Sequence, residues 1–233
     1  MAKDFDMPRA AENKYGRYHI PEGLEDRLTC RTVLSGGVHH PDTVTFMRDN
    51  AGTGDIIHVG TFFGDFLPGL SSAMAPKAKI WAFEPHSENH DATAKTIELN
   101  GINNAQLRNV AVSDRETSVL LKSHDPLGKS LGGNAQVVPQ KGAGVEVVKS
   151  VMLDFAVPRW RNVSILQIDV EGHEKQVLRG AFHLIRRCRP ILVVDDFYDF
   201  KWVQNTFPGF RYDQLGKVHS SVVYAAPNPD IKI

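Results

Sequence analysis

Cysteine is scarce: Cys30 and Cys188 are the only two in 233 residues. Two cannot build a disulfide framework, so they read as free thiols of a reducing cytoplasm. Long apolar runs are missing too, and none approaches the ~20 residues of a membrane span. The opening stretch MAKDFDMPRAAENKYGRYHI has no apolar core of the kind a secretory signal needs. There is no excess of charge, with 27 Lys+Arg against 27 Asp+Glu. A general nucleic-acid binder carries a basic surplus, so neither nucleic acid nor membrane is expected as a partner. The G-x-G-x-x-G fingerprint of dinucleotide binders is absent, as are internal repeats and low-complexity tracts.

What is present is ordinary globular composition, 42% hydrophobic and 23% charged, with ample chain for one core. Residues 1–50 read as an N-terminal arm and helical region contributing to substrate cover, the first 20 or so as a loose arm. Asp42 or Thr43 would cap a helix over TVTFMRDN. Residues 51–233 read as the main domain. DIIHVG (55–60) is a first buried strand, KIWAFE (79–84) a second, and Gln106 to Ser113 a third. Ser87 would cap the helix between the last two, and Gly101 would end it. Strand and helix alternate at a spacing that predicts a parallel sheet. Strands are expected over Val119–Lys122 and Val145–Leu153, with a Gly-rich mobile loop or pair of hairpins over 125–144 between them. SILQI (164–168) and PILVVD (190–195) are further core strands. Phe210–Leu215 and Ser220–Ala226 read as a closing hairpin.

Chemistry gathers at strand ends. Ile165, Leu166 and Ile168 stop at Asp169, and Glu171, His173 and Glu174 follow before a helix marked by Val177, Leu178, Ala181, Phe182 and Ile185. In open α/β sheets ligands bind at such ends; alternatively, the acids only charge the helix N-terminus. Gly60 and Gly64 let backbone approach a ligand closely, and the next helix offers free N–H groups. Glu84, ending the neighbouring strand, can accept two hydrogen bonds from ribose hydroxyls. Together they favour an adenosine-containing cofactor.

DIIHVGTFFGD, WAFEPHSEN, ELNGINNAQLRNVAVSD, VMLDF and LQIDVEGHEKQVLRGA, in this order, resemble the FkbM family of S-adenosylmethionine-dependent methyltransferases over roughly residues 54–196. The resemblance implies an α/β class I methyltransferase fold, Rossmann-like. Its sheet has seven strands, mostly parallel with the last antiparallel, and helices on both faces. It implies O-methylation of a hydroxyl on a polyketide, sugar or other small natural product. By motif position, Gly60, Phe62 and Gly64 would line the methionine part of the cofactor and Glu84 would bind ribose. Asn109 and Ala111 would lie along the adenine, and Asp169 would face the methyl group. The family has an acid where this chain has His58, and a small-polar pair where it has Thr61-Phe62. His58 could contact the cofactor carboxylate or be a core histidine, and Asp65 could supply the missing acid.

The stretch Gly60–Gly64 is also similar to the glycine loop of metal-dependent O-methyltransferases of the catechol, caffeoyl-CoA and TylF types. That likeness implies a divalent cation (Mg²⁺, Mn²⁺ or Ca²⁺) held by Asp169, Asp195 and Asp196 at two adjacent strand ends. Asp169 would orient the acceptor and His173 is the favoured base, with Lys201 and His219 as alternates. The expected partner is a small hydroxylated acceptor, with a homodimer as an open option. Two rival readings are a nicotinamide-dependent oxidoreductase and a catalytically silent cofactor-binding module.

Overall fold

The computed structural model describes residues 10–227 and 231. Its centre is a seven-stranded sheet: β1 Asp55–Val59, β2 Ile80–Phe83, β3 Ala105–Arg108, β4 Val163–Ile168, β5 Ile191–Asp195, β6 Asp213–Val218 and β7 Ser221–Ala225. The spatial order is β6-β7-β5-β4-β1-β2-β3. β1 to β5 run parallel, while β7 is antiparallel to both β5 and β6. The chain leaves β1 toward β2 and β3, then returns to β4 on the other side of β1. That reversal opens a crevice at the C-terminal ends of β1 and β4.

The sheet forms because these strands are apolar on both sides. Successive residues of a strand face opposite ways. Thus Ile57, Val59, Leu166, Ile168, Leu192 and Val194 enter one core, and Ile56, Ile165, Ile191 and Val193 enter the other. Each such side chain contributes about 1.5–3 kcal/mol when fully buried. At the far end Asp55 locks the strand starts. Its carboxylate accepts from the Lys79 N–H at 2.9 Å, Trp81 Nε1 at 2.7 Å and Arg161 Nε at 2.7 Å.

Four details differ from the sequence reading. Residues 1–9 lie outside those described, but the rest of the expected arm is a hairpin, Ala10–Asn13 with Gly16–His19. Tyr18, Ile20 and Leu24 are buried with Phe63 in a third core, anchors too widely spaced to give a periodic signal. The helix Pro41–Asn50 starts after His40, whose left-handed backbone leaves neither Asp42 nor Thr43 as cap. The helix Ser87–Leu99 is capped by His86, not Ser87, and ends before Gly101 at φ +58°. The third strand breaks after Arg108. Ala111–Val112 then pairs with Val145–Val151 in a separate sheet completed by Ser118–Lys122 and Gln136–Val138. This flanking sheet occupies the crossover from β3 to β4. Among the described residues no helix is long and apolar enough to cross a membrane.

Candidate active site

β1 ends at Val59, and the next five residues fold into a tight loop. Gly60, Phe62 and Gly64 all have positive φ, at +83°, +50° and +78°. Gly60 has no alternative: a Cβ there would run into the Asp169 carbonyl on the adjacent strand end. The Gly64 N–H bonds the Thr61 carbonyl at 2.7 Å, closing the turn. The following helix begins only at Leu67 and is five residues long. The expected free helix N–H groups are therefore not at the loop, which satisfies itself by turning.

Glu84 follows β2 and is buried. Its Oε2 accepts from the Phe62 N–H at 2.9 Å, and its Oε1 accepts from the His86 N–H at 2.9 Å and from Asn89 Nδ2 at 3.4 Å. Burial pushes the carboxyl up to about 7, while these donors pull it down toward the ionised form. Asn109 donates to the Glu84 and Pro85 carbonyls at 2.9 and 3.1 Å. It holds the turn that carries Glu84 and is not among the residues lining the cleft, whereas Val110, Ala111 and Val112 are.

The cleft has a volume of about 230 Å³. His58, Gly60, Phe62, Asp65, Glu84, Ala111, Asp169, Glu171, His173 and Asp195 all line it, and among the described residues no lysine or arginine does. Its carboxyls act on one another. Asp169 is open to the cleft but otherwise ringed by protein. Desolvation raises it well above the ordinary range, helped by Asp195, Asp65, Glu171 and Glu84. Asp65 is pushed up to about 7 by burial. His58 is buried, and neither ring nitrogen has a hydrogen-bond partner. Burial holds it down to about 4, with Gln167 of β4 beside it pulling the other way. It is therefore neutral and does not replace the missing acid. His173 precedes the helix Glu174–Gly180, with its Nε2 3.0 Å from Ser113 Oγ, and burial lowers its pKa.

The structure does not bring Asp169, Asp195 and Asp196 together as one set of three ligands. Among the described residues, the only group of three ligating side chains with atoms within 4.8 Å of one another lies elsewhere. Asp195 Oδ1 is occupied by Ser220 Oγ at 2.5 Å and Ser221 Oγ at 3.1 Å. Asp196, with φ +43°, turns to Tyr198 OH at 3.1 Å and is not in the cleft lining. Asp195 is the last residue of β5 and Asp196 lies beyond it with a left-handed backbone, so the two carboxylates part. Lys201 and His219 are likewise absent from the lining.

Thr29, His39 and His40, from the region read as substrate cover, residues 132–137, from the Gly-rich stretch, and Asn89 also line the cleft; the sequence singles out none of them as a site residue. His40 stacks on His39 and on His219, with ring centroids 3.8 Å apart in each case. In the sequence His39-His40-Pro41 reads only as a turn. His219 is 179 residues away, and nothing local links them.

The donor set fits S-adenosylmethionine. A glycine cradle where a Cβ cannot go, a buried carboxylate beside it and an acid-lined cleft match a ribose-bearing cation. A dinucleotide pyrophosphate would find no cation there. The family comparison agrees. The Methyltransferase FkbM domain matches residues 58–219. The crystal structure of Methyltransferase FkbM from Methylobacillus flagellatus KT superposes with a TM-score of 0.52 at 14% identity, over 74% of this chain and 43% of that one. A SAM-dependent methyltransferase from Aquifex aeolicus gives 0.47 at 15% identity, over 87% and 94% of the two chains. Precorrin-6y C5,15-methyltransferase from Geobacter metallireducens GS-15 gives 0.46 at 10% identity, over 89% and 92%. No curated protein matches the sequence. With more than two thirds of its length covered by the family's domain, the chain belongs to the FkbM methyltransferases, which depend on S-adenosylmethionine.

Proposed function

We propose that the protein is an O-methyltransferase acting on a hydroxyl of a small natural product or sugar. The observation that carries this reading is the cleft lining: five carboxyls, four histidines and no lysine or arginine among the described residues. Bound there, S-adenosylmethionine supplies a methyl group activated by a sulfonium. The rest is positioning, which holds the acceptor oxygen in line, and removal of one proton.

Each of those tasks has a residue. Gly60 brings backbone against the cofactor, and Glu84 accepts its ribose hydroxyls with the Phe62 and His86 N–H groups fixing the carboxylate. His173 Nε2 lies 3.0 Å from Ser113 Oγ; in the tautomer that carries its proton on Nε2, Nδ1 is left to accept the proton of the acceptor hydroxyl. Burial lowers the pKa of that imidazole and so favours the neutral form a base needs, with Asp114 pulling the other way. Asp169, which follows β4 and lines the same cleft, orients the hydroxyl. No step passes through a cation at Asp195 and Asp196.

The test is transfer of labelled methyl to a panel of hydroxylated acceptors, with calorimetry of S-adenosylhomocysteine and NAD. Binding of the first, no binding of the second and label on oxygen are expected. His173→Ala should lower turnover by roughly 10²–10⁴ and remove the acid limb of the pH–rate profile. Label on nitrogen or carbon would overturn the oxygen assignment. NAD binding would overturn the cofactor. Cofactor binding with no transfer to any acceptor would favour a silent module.

A further inference from the structure

Behind the cofactor turn, outside the cleft lining, side chains from three segments meet. His86 caps the helix Ser87–Leu99, His124 follows the strand Ser118–Lys122, and Glu146 lies on the strand Val145–Val151. One ligand atom from each lies within 4.8 Å of the others. His86 has 0% exposure, and its Nε2 has no hydrogen-bond partner. Burying an imidazole nitrogen unpaired is costly, and native structures seldom leave one so. The same atom lies 4.0 Å from Glu88 Oε2, too far for a hydrogen bond but near enough to share a ligand. His124 is oriented from behind, with Nδ1 3.0 Å from Ser123 Oγ and Nε2 3.4 Å from Glu88 Oε1. A side-chain partner on one ring nitrogen, with the other turned inward, is how ligating histidines are usually held.

We infer that His86, His124 and Glu146 bind a divalent transition-metal ion, with Glu88 in reach as a fourth ligand. Two imidazoles and carboxylate oxygens suit Zn²⁺ first, since hard Mg²⁺ and Ca²⁺ prefer all-oxygen sets. Ligation through His86 Nε2 puts the ring proton on Nδ1. The contact given up there is the 3.4 Å approach of the Asn89 N–H, which is at the weak end for a hydrogen bond.

The place of the site gives it a role. His86 is two residues from Glu84, and its N–H holds Glu84 Oε1. His124 and Glu146 belong to the flanking sheet, and its neighbour Gly132 accepts from Asn89 Nδ2 at 3.1 Å. A metal here would clip the flanking sheet to the turn that presents Glu84, so it would stiffen the ribose side of the cleft without entering it. The inference does not depend on which acceptor is methylated, or on methylation at all.

The experiment uses the full chain, stripped with chelator and dialysed. Zn²⁺ is titrated by calorimetry, and Co²⁺ is followed by its visible spectrum. One equivalent should bind, raise the thermal midpoint and give Co²⁺ bands of a four-coordinate N/O site. His124→Ala and Glu146→Gln, both at half-buried positions that should fold, should each weaken Zn²⁺ by about tenfold or more. His40→Asn, in the other histidine cluster, should not. No stoichiometric binding, or unchanged affinity in both His124→Ala and Glu146→Gln, overturns the site. Loss of affinity only in His40→Asn would move the metal to the stack of His39, His40 and His219 and also overturn it.

Discussion

The two sides of the cleft are built by different means. On the β1–β2 side, two of the three left-handed backbone positions, Gly60 and Gly64, are glycines and only Phe62 is not. Backbone N–H groups converge there on one carboxylate. On the β5 side the left-handed positions are His40 at +46°, Asp196 at +43° and His219 at +56°. Non-glycine residues adopt such conformations at a cost of order 1–3 kcal/mol, and they concentrate where a site needs a particular side chain in place. The first side reads as a socket for a constant ligand; on the second only His40 of the three reaches the cleft, and Asp196 and His219 stand behind it.

The largest effect should come from breaking the socket. Glu84→Gln keeps the volume but turns an amide NH₂ toward the Phe62 or His86 N–H and removes the charge. A charged hydrogen-bond partner is worth roughly 1.5–3 kcal/mol, so calorimetry should find S-adenosylhomocysteine bound on the order of tenfold to a hundredfold more weakly. An unchanged dissociation constant would mean that the ribose lies elsewhere and that the two sides are not divided as drawn.

That socket was also the part legible in the sequence. Buried strands ending in glycine or acid, Glu84 among them, are local signals. Both alternating cores could be read from DIIHV and SILQI, because a strand buried on both faces is apolar throughout. The β5 side could not be read. His40 and His219 come together through β7 and the helix Pro41–Asn50, and their contact exists only once the sheet is assembled. The surroundings of the aspartates are hidden for a related reason: a likeness to other enzymes places Asp195 and Asp196 at a strand end, but only the assembled fold hands Asp195 to Ser220 and Ser221 and Asp196 to Tyr198. His86 and Glu146 were likewise invisible as partners, being 60 residues apart on elements that only the flanking sheet brings together.

A smaller effect should appear in the pH dependence of stability. Asp65 and Glu84 are pushed up to about 7 and Asp169 well above its ordinary range, against about 4 for unfolded carboxyls. Between those values the native state binds more protons than the unfolded chain. The stabilisation is therefore complete below about pH 4 and lost as pH rises through about 7. The empty protein should melt lower at about pH 8 than at about pH 5. S-adenosylmethionine, which brings a sulfonium, should recover more of that loss than uncharged-sulfur S-adenosylhomocysteine. Equal recovery by the two ligands would show that the carboxyls do not face the sulfonium, and the acid lining would lose its part in the argument.

The smallest expected change is also the sharpest test of the division. His40 lines the cleft between His39 and His219. Burial and His219 lower its pKa, while Asp195 and Asp196 pull it back. Asparagine tolerates the left-handed backbone better than other non-glycine residues, so His40→Asn keeps the turn and removes the stacked ring. If the β5 side serves only the acceptor, cofactor affinity should stay within about twofold, since the socket residues do not touch the change. Acceptor KM should rise several-fold, because a ring that shapes the pocket is gone while the base, His173, remains. The paired measurement is cofactor calorimetry and steady-state kinetics on one preparation. If His40→Asn weakens the cofactor as much as Glu84→Gln does, both sides hold the same ligand, and the acceptor must enter over the flanking sheet instead.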